Sequence, residues 1–298
     1  SSVTCAERHP SRASRGCKAR LMTVARACLP AGLWQCLERR FLQVRYSGDY
    51  ASWDAALADA DGYDTPLILE RVAEATRKVR RGEAAMERDG IALDRAVYPW
   101  PIVYGLLCAA VTRQRLHVVD FGGGLGGLCQ LLRPLLPAEV EVRWGVIEQP
   151  HYVALGRAEF ADEHLRFFED ADACRAELEP HVLILSRVLA YLPQPYQTLR
   201  ELLGHAAEYV LIDRTLLVEG GDDRLSVQRV PRGFYGRAVS YPAWLLGRDK
   251  LLDAVHAAGY DVVGEFDALA GRVRSGDQVA CDTALVCRRR AAPDGGGG

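Results

Sequence analysis

The chain of 298 residues is 49% hydrophobic and 26% charged with a formal net charge of −2, an ordinary globular balance with ample material for a core. It has no stretch of about eighteen apolar residues, which excludes a transmembrane helix. Its nine cysteines show neither C-x-x-C pairs nor the Cys/His spacing of a zinc site, so no metal centre is expected. Cys108, Cys129 and Cys287 lie in apolar runs, and all are read as reduced thiols of a cytoplasmic protein.

Charge is uneven along the chain. Residues 1–45 hold nine Lys or Arg against Glu7 and Glu38, marking a basic N-terminal extension without a signal-peptide pattern. Its first twenty residues lack periodicity and are expected to be disordered. From Leu21 to Val44 apolar residues recur near helical spacing between arginines, a pattern that fits packing on the main domain or peripheral contact of residues 20–45 with an anionic membrane.

Residues 46–113 read as a helical cap. Gly48 to Trp53 form a turn and an N-cap for a short helix at 54–60, and Asp64-Thr65-Pro66 opens a longer one over Leu67–Val79. Glu83–Ala92 fits no single pattern, although Glu87-Arg88-Asp89 concentrates charge. Tyr98-Pro99-Trp100-Pro101 punctuates before an apolar helix at Ile102–Val111.

His117 to Gly127 then reads as a buried strand ending on Asp120-Phe121, a turn through Gly122, Gly123, Gly124 and Gly126, and a helix start. Glycines there let backbone N–H groups approach a ligand, and the helix N-terminus adds partial positive charge. Strands at Val142–Glu148, Leu165–Phe168, Val182–Leu185 and Tyr209–Ile212 alternate with helices at 153–160, 171–178 and 196–206. That alternation argues an α/β fold with a mostly parallel sheet. A long irregular stretch follows Asp213 to about Leu246, then a helix at 249–258. Strands at Tyr260–Phe266 and Thr283–Arg288 are expected to pair antiparallel. Residues 291–298 read as a disordered tail.

Gly122, Gly124 and Gly127 satisfy G-x-G-x-x-G, with Glu148 about twenty residues on, as in dinucleotide-binding proteins. Three features oppose that reading. Asp120 would repel a pyrophosphate, the strand lies far inside the chain, and the terminal strand pair suits a seven-stranded sheet. An NAD(P)-binding oxidoreductase or a non-catalytic cofactor-binding protein is therefore the alternative of another class.

Asp120 to Gly126, Glu148 and Leu183–Leu192 resemble the corresponding motifs of class I S-adenosylmethionine-dependent methyltransferases. Further segments are similar to one bacterial methyltransferase family often found among surface-polysaccharide or secondary-metabolite genes. They are Gly48-Asp49-Tyr50, Gly62-Tyr63-Asp64, Glu87-Arg88-Asp89, Trp144 with Val146 to Pro150, Ile212 to Thr215, and Ser240-Tyr241-Pro242 with Trp244. The resemblance implies a Rossmann-like seven-stranded sheet over residues 114–290, its last strand antiparallel, with 214–246 as a substrate-loop insertion. It also implies S-adenosyl-L-methionine as cofactor, near Asp120, Gly122, Gly123, Gly124, Gly126, Glu148 and Gln149. Asp170 would contact the adenine or cap a helix, and Ser186 would border the cofactor or end a strand.

For the chemistry, Asp213 at a strand's carboxyl end is the first candidate for base or substrate contact, or else an ion-pair partner of Arg214. Arg214 suits an anionic acceptor group. Tyr241, with Tyr235, Trp244 and Trp100, fits an aromatic wall or ordinary packing. His151 is a titratable candidate in a first helical turn. Glu219, Asp222 and Asp223 read as a solvated hairpin tip. The family resemblance implies a saccharide or glycan precursor as acceptor, or a small secondary metabolite, and no nucleic-acid partner is indicated.

Overall fold

The structure, a computed structural model, describes residues 44–61, 65–113, 115–205, 207–231 and 238–291. The basic extension up to residue 43, Gly62-Tyr63-Asp64, Tyr235 and residues 292–298 lie outside that set. No described helix is long and apolar enough to cross a membrane.

The described chain opens with β1 (Arg45–Ser47), α1 (Trp53–Ala58) and α2 (Thr65–Arg80). Ser52 caps α1 by accepting the Ala55 N–H at 3.2 Å. Helix α2 buries Ile68, Ala73, Ala75 and Thr76. It ends on Arg77, Lys78 and Arg80, where cations meet the negative end of the helix dipole. The stretch Glu83–Ala92 resolves as a hairpin, β2 (Met86–Arg88) and β3 (Ile91–Leu93). Arg88 pairs with Ile91, leaving Asp89-Gly90 as a two-residue loop with φ of 52° and 75°. Positive φ at both positions is the type I′ turn that Asp-Gly favours.

Helix α3 (Trp100–Thr112) leads into the alternating region. In order come β4 (Arg115–Phe121), α4 (Gly127–Leu132), β5 (Glu141–Ile147) and α5 (Pro150–Leu155, running into a π turn at Gly156–Phe160). Next are β6 (Leu165–Phe168), α6 (Ala171–Leu178), β7 (Val182–Ser186), α7 (Pro195–Leu203) and β8 (Tyr209–Val218). The chain closes with β9 (Arg224–Val230), β10 (Val239–Gly247), α8 (Arg248–Ala257), β11 (Tyr260–Ser275) and β12 (Gln278–Arg289).

Strands β6-β5-β4-β7-β8 run parallel. Helices cover both faces, so β7 reads as an unbroken apolar run over Val182–Leu185. Strand β12 pairs antiparallel with β8, and β11 antiparallel with β12, which gives the expected seven-strand pattern. The sheet is larger than that, however, with ten strands among the described residues. The stretch expected to be irregular, 214–246, contains the rest of β8, all of β9 and most of β10.

Strand β8 outruns β7. Its first half pairs with β7, while Leu217 and Val218 pair with β10. Strand β12 fills its other edge. Strand β10 then carries β9 and β1 antiparallel. The reason this was hidden is chemical: Ser226, Gln228 and Ser240 are fully buried polar residues, so a stretch that reads as polar loop is a strand buried on both faces, with Leu225 and Val227 alternating between its polar positions. Asp223 likewise is no solvated tip. Its carboxylate accepts from Tyr196 Oη at 2.7 Å and the Gly247 N–H at 2.8 Å, and pairs with Lys250.

Candidate active site

A cleft of about 760 Å³ opens at the carboxyl edge of the parallel strands, where ligands of such sheets bind. Its floor begins where β4 ends. Gly122 and Gly124 have φ of 74° and 59°, conformations that glycine adopts without strain. Beneath them Asp120 is 1% exposed. Its Oδ2 accepts the Trp144 indole N–H at 3.3 Å, while Oδ1 has no partner among the described residues. A Cβ at Gly123 would lie 2.5 Å from the Asp120 Cγ, so the carboxyl and the turn are fitted to each other. Burial pushes the Asp120 pKa up to about 7, with Trp144 opposing and the nearby Glu148 charge adding.

Glu148 follows β5. Its Oε1 accepts the Gly124 N–H at 3.3 Å and its Oε2 the Gln149 N–H at 2.8 Å. Burial raises its pKa, and those two N–H groups together with His151 pull it back. Glu148 is thereby fixed against the glycine turn at the cleft edge. Gln149 and Glu169 continue the floor.

The wall carries the expected chemistry residues Ser186, Asp213, Arg214 and Tyr241, all lining the cleft. Ser186 and Asp213 are register partners across β7 and β8. Ser186 Oγ donates to Asp213 Oδ2 at 3.1 Å, and Arg214 Nε lies 3.6 Å from the same oxygen. Asp213 is 2% exposed. Burial raises its pKa, and Arg214 and Ser186 moderate the rise.

Three expected residues stand outside this lining. Asp170 caps α6, its Oδ1 accepting the Ala173 N–H at 2.7 Å, and its neighbour Glu169 borders the cleft instead. Gly126 is the left-handed N-cap of α4. His151 packs its ring against Tyr152 at 5.0 Å behind Glu148. Among the other aromatics, Trp100 is 64% exposed, and Trp244 donates its indole N–H to the Leu192 carbonyl at 3.1 Å.

The structure adds residues to which sequence reading gave no role. Glu87, Arg88 and Asp89 bring the β2–β3 hairpin over the cleft. Asp89 accepts from Arg187 Nη1 at 2.7 Å. Gln228 is fully buried and joins three phenols. Its Oε1 accepts from Tyr46 Oη at 3.0 Å and Tyr191 Oη at 2.8 Å, and its Nε2 donates to Tyr241 Oη at 3.3 Å. The Glu87-Arg88-Asp89 cluster was visible in the sequence, whereas nothing local marks Gln228.

The floor fits an aminoacyl nucleoside better than a dinucleotide. Its ionisable lining groups are Asp120, Glu148 and Glu169, which would repel a pyrophosphate. Glu148 is placed to accept from a vicinal diol, and the glycine turn leaves room for close backbone approach. S-adenosylmethionine meets those requirements.

No protein-family model and no curated protein sequence matches the chain. Solved structures do resemble it. The N-terminal domain of EvdMO1 with S-adenosylhomocysteine bound gives a TM-score of 0.46 at 16% identity, covering 76% of this chain and 98% of that one. CalS10, an amino pentose methyltransferase from Micromonospora echinaspora with S-adenosylmethionine bound, gives 0.40 at 14%, covering 72% and 96%. The [4+2]-cyclase SpnF gives 0.46 at 15%, covering 83% and 100%.

Its structural neighbours include S-adenosylmethionine-dependent methyltransferases. At such identities nothing about the reaction carries over, so function rests on this chain's own residues.

Proposed function

We propose that this chain is an S-adenosylmethionine-dependent methyltransferase that methylates a hydroxyl of a saccharide or glycan precursor. The observation that carries the reading is the acid pair around the glycine turn. Asp120 is buried with one free oxygen beneath Gly123, and Glu148 is tethered to the Gly124 N–H at the cleft edge.

When bound, the cofactor supplies an electrophilic methyl group for in-line displacement. Glu148 holds its ribose hydroxyls, Gly122 to Gly124 approach it through backbone, and Gln149 and Glu169 border its base. Across the cleft Asp213 receives the proton of the acceptor hydroxyl, and burial raises its pKa above the ordinary carboxylate value, which makes it a stronger base. Tyr241 and Arg214 flank the acceptor. Alignment of acceptor and methyl group is worth about 7–11 kcal/mol in favourable cases, and a base about two to four powers of ten. The apolar lining by Trp53, Ile68, Val72 and Leu269 favours a second reading of the acceptor as a small secondary metabolite, methylated at oxygen, nitrogen or carbon.

Calorimetry with S-adenosylhomocysteine and NAD tests the class. The homocysteine analogue is expected to bind and NAD not to. Tight NAD binding without a response to the analogue would make the chain a nicotinamide oxidoreductase. Asp213→Asn should leave analogue affinity intact and lower turnover, and equal loss of both would assign Asp213 to structure.

A further inference from the structure

We propose that the acceptor carries an anionic group, a carboxylate or a phosphate, seated between Arg88 of the hairpin and Arg214 of β8. The inference rests on the methyltransferase reading of the same cleft and narrows its substrate class to a sugar acid or sugar phosphate.

Both guanidinium groups line the cleft. They arrive from separate elements, and the charge of Arg214 reaches Arg88. Burial and the positive charge of Arg214 depress the Arg88 pKa, Arg187 adds to this, and Asp89 and Glu87 oppose it. Arginine offers five N–H donors, yet among the described residues neither side chain makes a short hydrogen bond. Arg88 reaches the Val97 carbonyl at 3.4 Å and Met86 Sδ at 3.9 Å. Arg214 reaches Ser186 Oγ at 3.3 and 3.4 Å. Good N–H···O bonds fall at about 2.7–3.2 Å.

Arg187 in the same cluster provides the contrast, because its Nη1 is engaged by Asp89 at 2.7 Å. Among the described residues no carboxylate forms a salt bridge with Arg88. Among the same residues the carboxylate paired with Arg214 is that of Asp213, at 3.6 Å.

Arg214 stands at φ 51° in a bulge of β8, where Asp213 and Arg214 lie opposite Ala284 of β12, and such bulges re-aim side chains. Two planar forks with unused donors, facing one cavity, match the bidentate geometry of a carboxylate or phosphate. An anion held there places the rest of the acceptor beside Asp213, the adjacent residue.

The cofactor's own carboxylate is the competing source of such an anion, and the test separates the two. Protein saturated with S-adenosylhomocysteine is titrated calorimetrically with D-glucuronate, D-glucose 6-phosphate and D-glucose. At least one of the two anionic sugars should bind tenfold or more tightly than glucose, with affinity falling as salt rises. Arg88→Gln should erase that preference while S-adenosylhomocysteine affinity stays within twofold. Arg88→Lys, which keeps the charge but loses the fork, should reduce the preference at least threefold and serves if the glutamine variant does not fold.

Equal binding of glucose and both anions overturns the proposal. So does a tenfold loss of S-adenosylhomocysteine affinity in Arg88→Gln with 5′-methylthioadenosine unaffected, since that nucleoside lacks the carboxylate. If wild-type protein binds glucose 6-phosphate through Arg88 but never binds S-adenosylhomocysteine, the methyltransferase reading fails and the anion site stands.

Discussion

The floor of the cleft comes from the turn after β4, the end of its neighbour β5 and the end of β6 beyond it. The wall gathers Tyr46, the 86–93 hairpin, Arg187 with Tyr191, Asp213 with Arg214, and Gln228 with Tyr241. On the floor, shape is set by backbone dihedrals and by buried carboxylates fitted under them. The wall is held by hydrogen bonds among residues far apart in the chain. The floor should therefore respond sharply to volume and ionisation, and the wall to loss of polar partners.

The largest expected effect is steric. Gly126 has φ 80°, and a Cβ there would lie 2.5 Å from Leu165 Cδ2. Gly126→Val combines a left-handed penalty of about 1–2 kcal/mol with overpacking of about 1–3 kcal/mol. Urea denaturation should show a loss of about 2–5 kcal/mol. A loss well under 1 kcal/mol would mean that the turn yields and the floor is not rigid.

Ionisation of the floor comes next. The Asp120 pKa rises from an ordinary 3.8 to about 7 in the folded protein, so the native state holds the proton more tightly than the unfolded chain. The resulting penalty is absent below about pH 3.8, grows through the window, and is fully present above about pH 7. At about 1.4 kcal/mol per pKa unit, stability without ligand should fall by a few kcal/mol across it, and Glu87, also pushed to about 7, adds in the same direction. Asp120→Asn keeps an oxygen for Trp144 and removes this titration. The urea midpoint should therefore fall less between pH 5 and pH 8 in the variant than in wild type. Parallel slopes would show that Asp120 does not titrate in that range.

The wall is broken at Gln228. Gln228→Leu removes the amide shared by the hydroxyls of Tyr46, Tyr191 and Tyr241, and a buried polar group that loses its partner costs about 1–3 kcal/mol. Because rearranged phenols recover part of that, a loss of about 2 kcal/mol is expected, with S-adenosylhomocysteine affinity within twofold. A tenfold drop in that affinity would show that floor and wall are one unit.

The contrast also explains what could be read in advance. The parallel core was legible because strands buried on both faces leave continuous apolar runs, and the expected bounds of β6 and α6 coincide with those observed. Floor residues were legible because glycines and acids at a strand end are local. The hairpin carried its signal in Asp89-Gly90, but its strands span only three residues each, too few to show a period. The β9–β10 extension was hidden by buried Ser226, Gln228 and Ser240. Tyr46 and Gln228 are 182 residues apart, so no window of sequence contains their bond.

On the floor again, Glu148→Ala removes the acceptor proposed for the ribose hydroxyls and the tether to Gly124. At least a tenfold loss of S-adenosylhomocysteine affinity is expected by calorimetry, about 1.4 kcal/mol. Unchanged affinity would mean that the ribose is misplaced in this reading.

The smallest effect tests where the floor ends. Asp170 and Glu169 are consecutive, yet the Asp170 carboxylate is turned to the Ala173 N–H at 2.7 Å while Glu169 borders the cleft. Loss of an N-cap costs about 1 kcal/mol. Asp170→Ala should therefore lower stability by about that amount and leave S-adenosylhomocysteine affinity unchanged, whereas Glu169→Ala should weaken the ligand with little change in stability. If Asp170→Ala weakens the ligand by more than its neighbour does, the adenine edge belongs to Asp170, and the floor extends onto the first turn of α6.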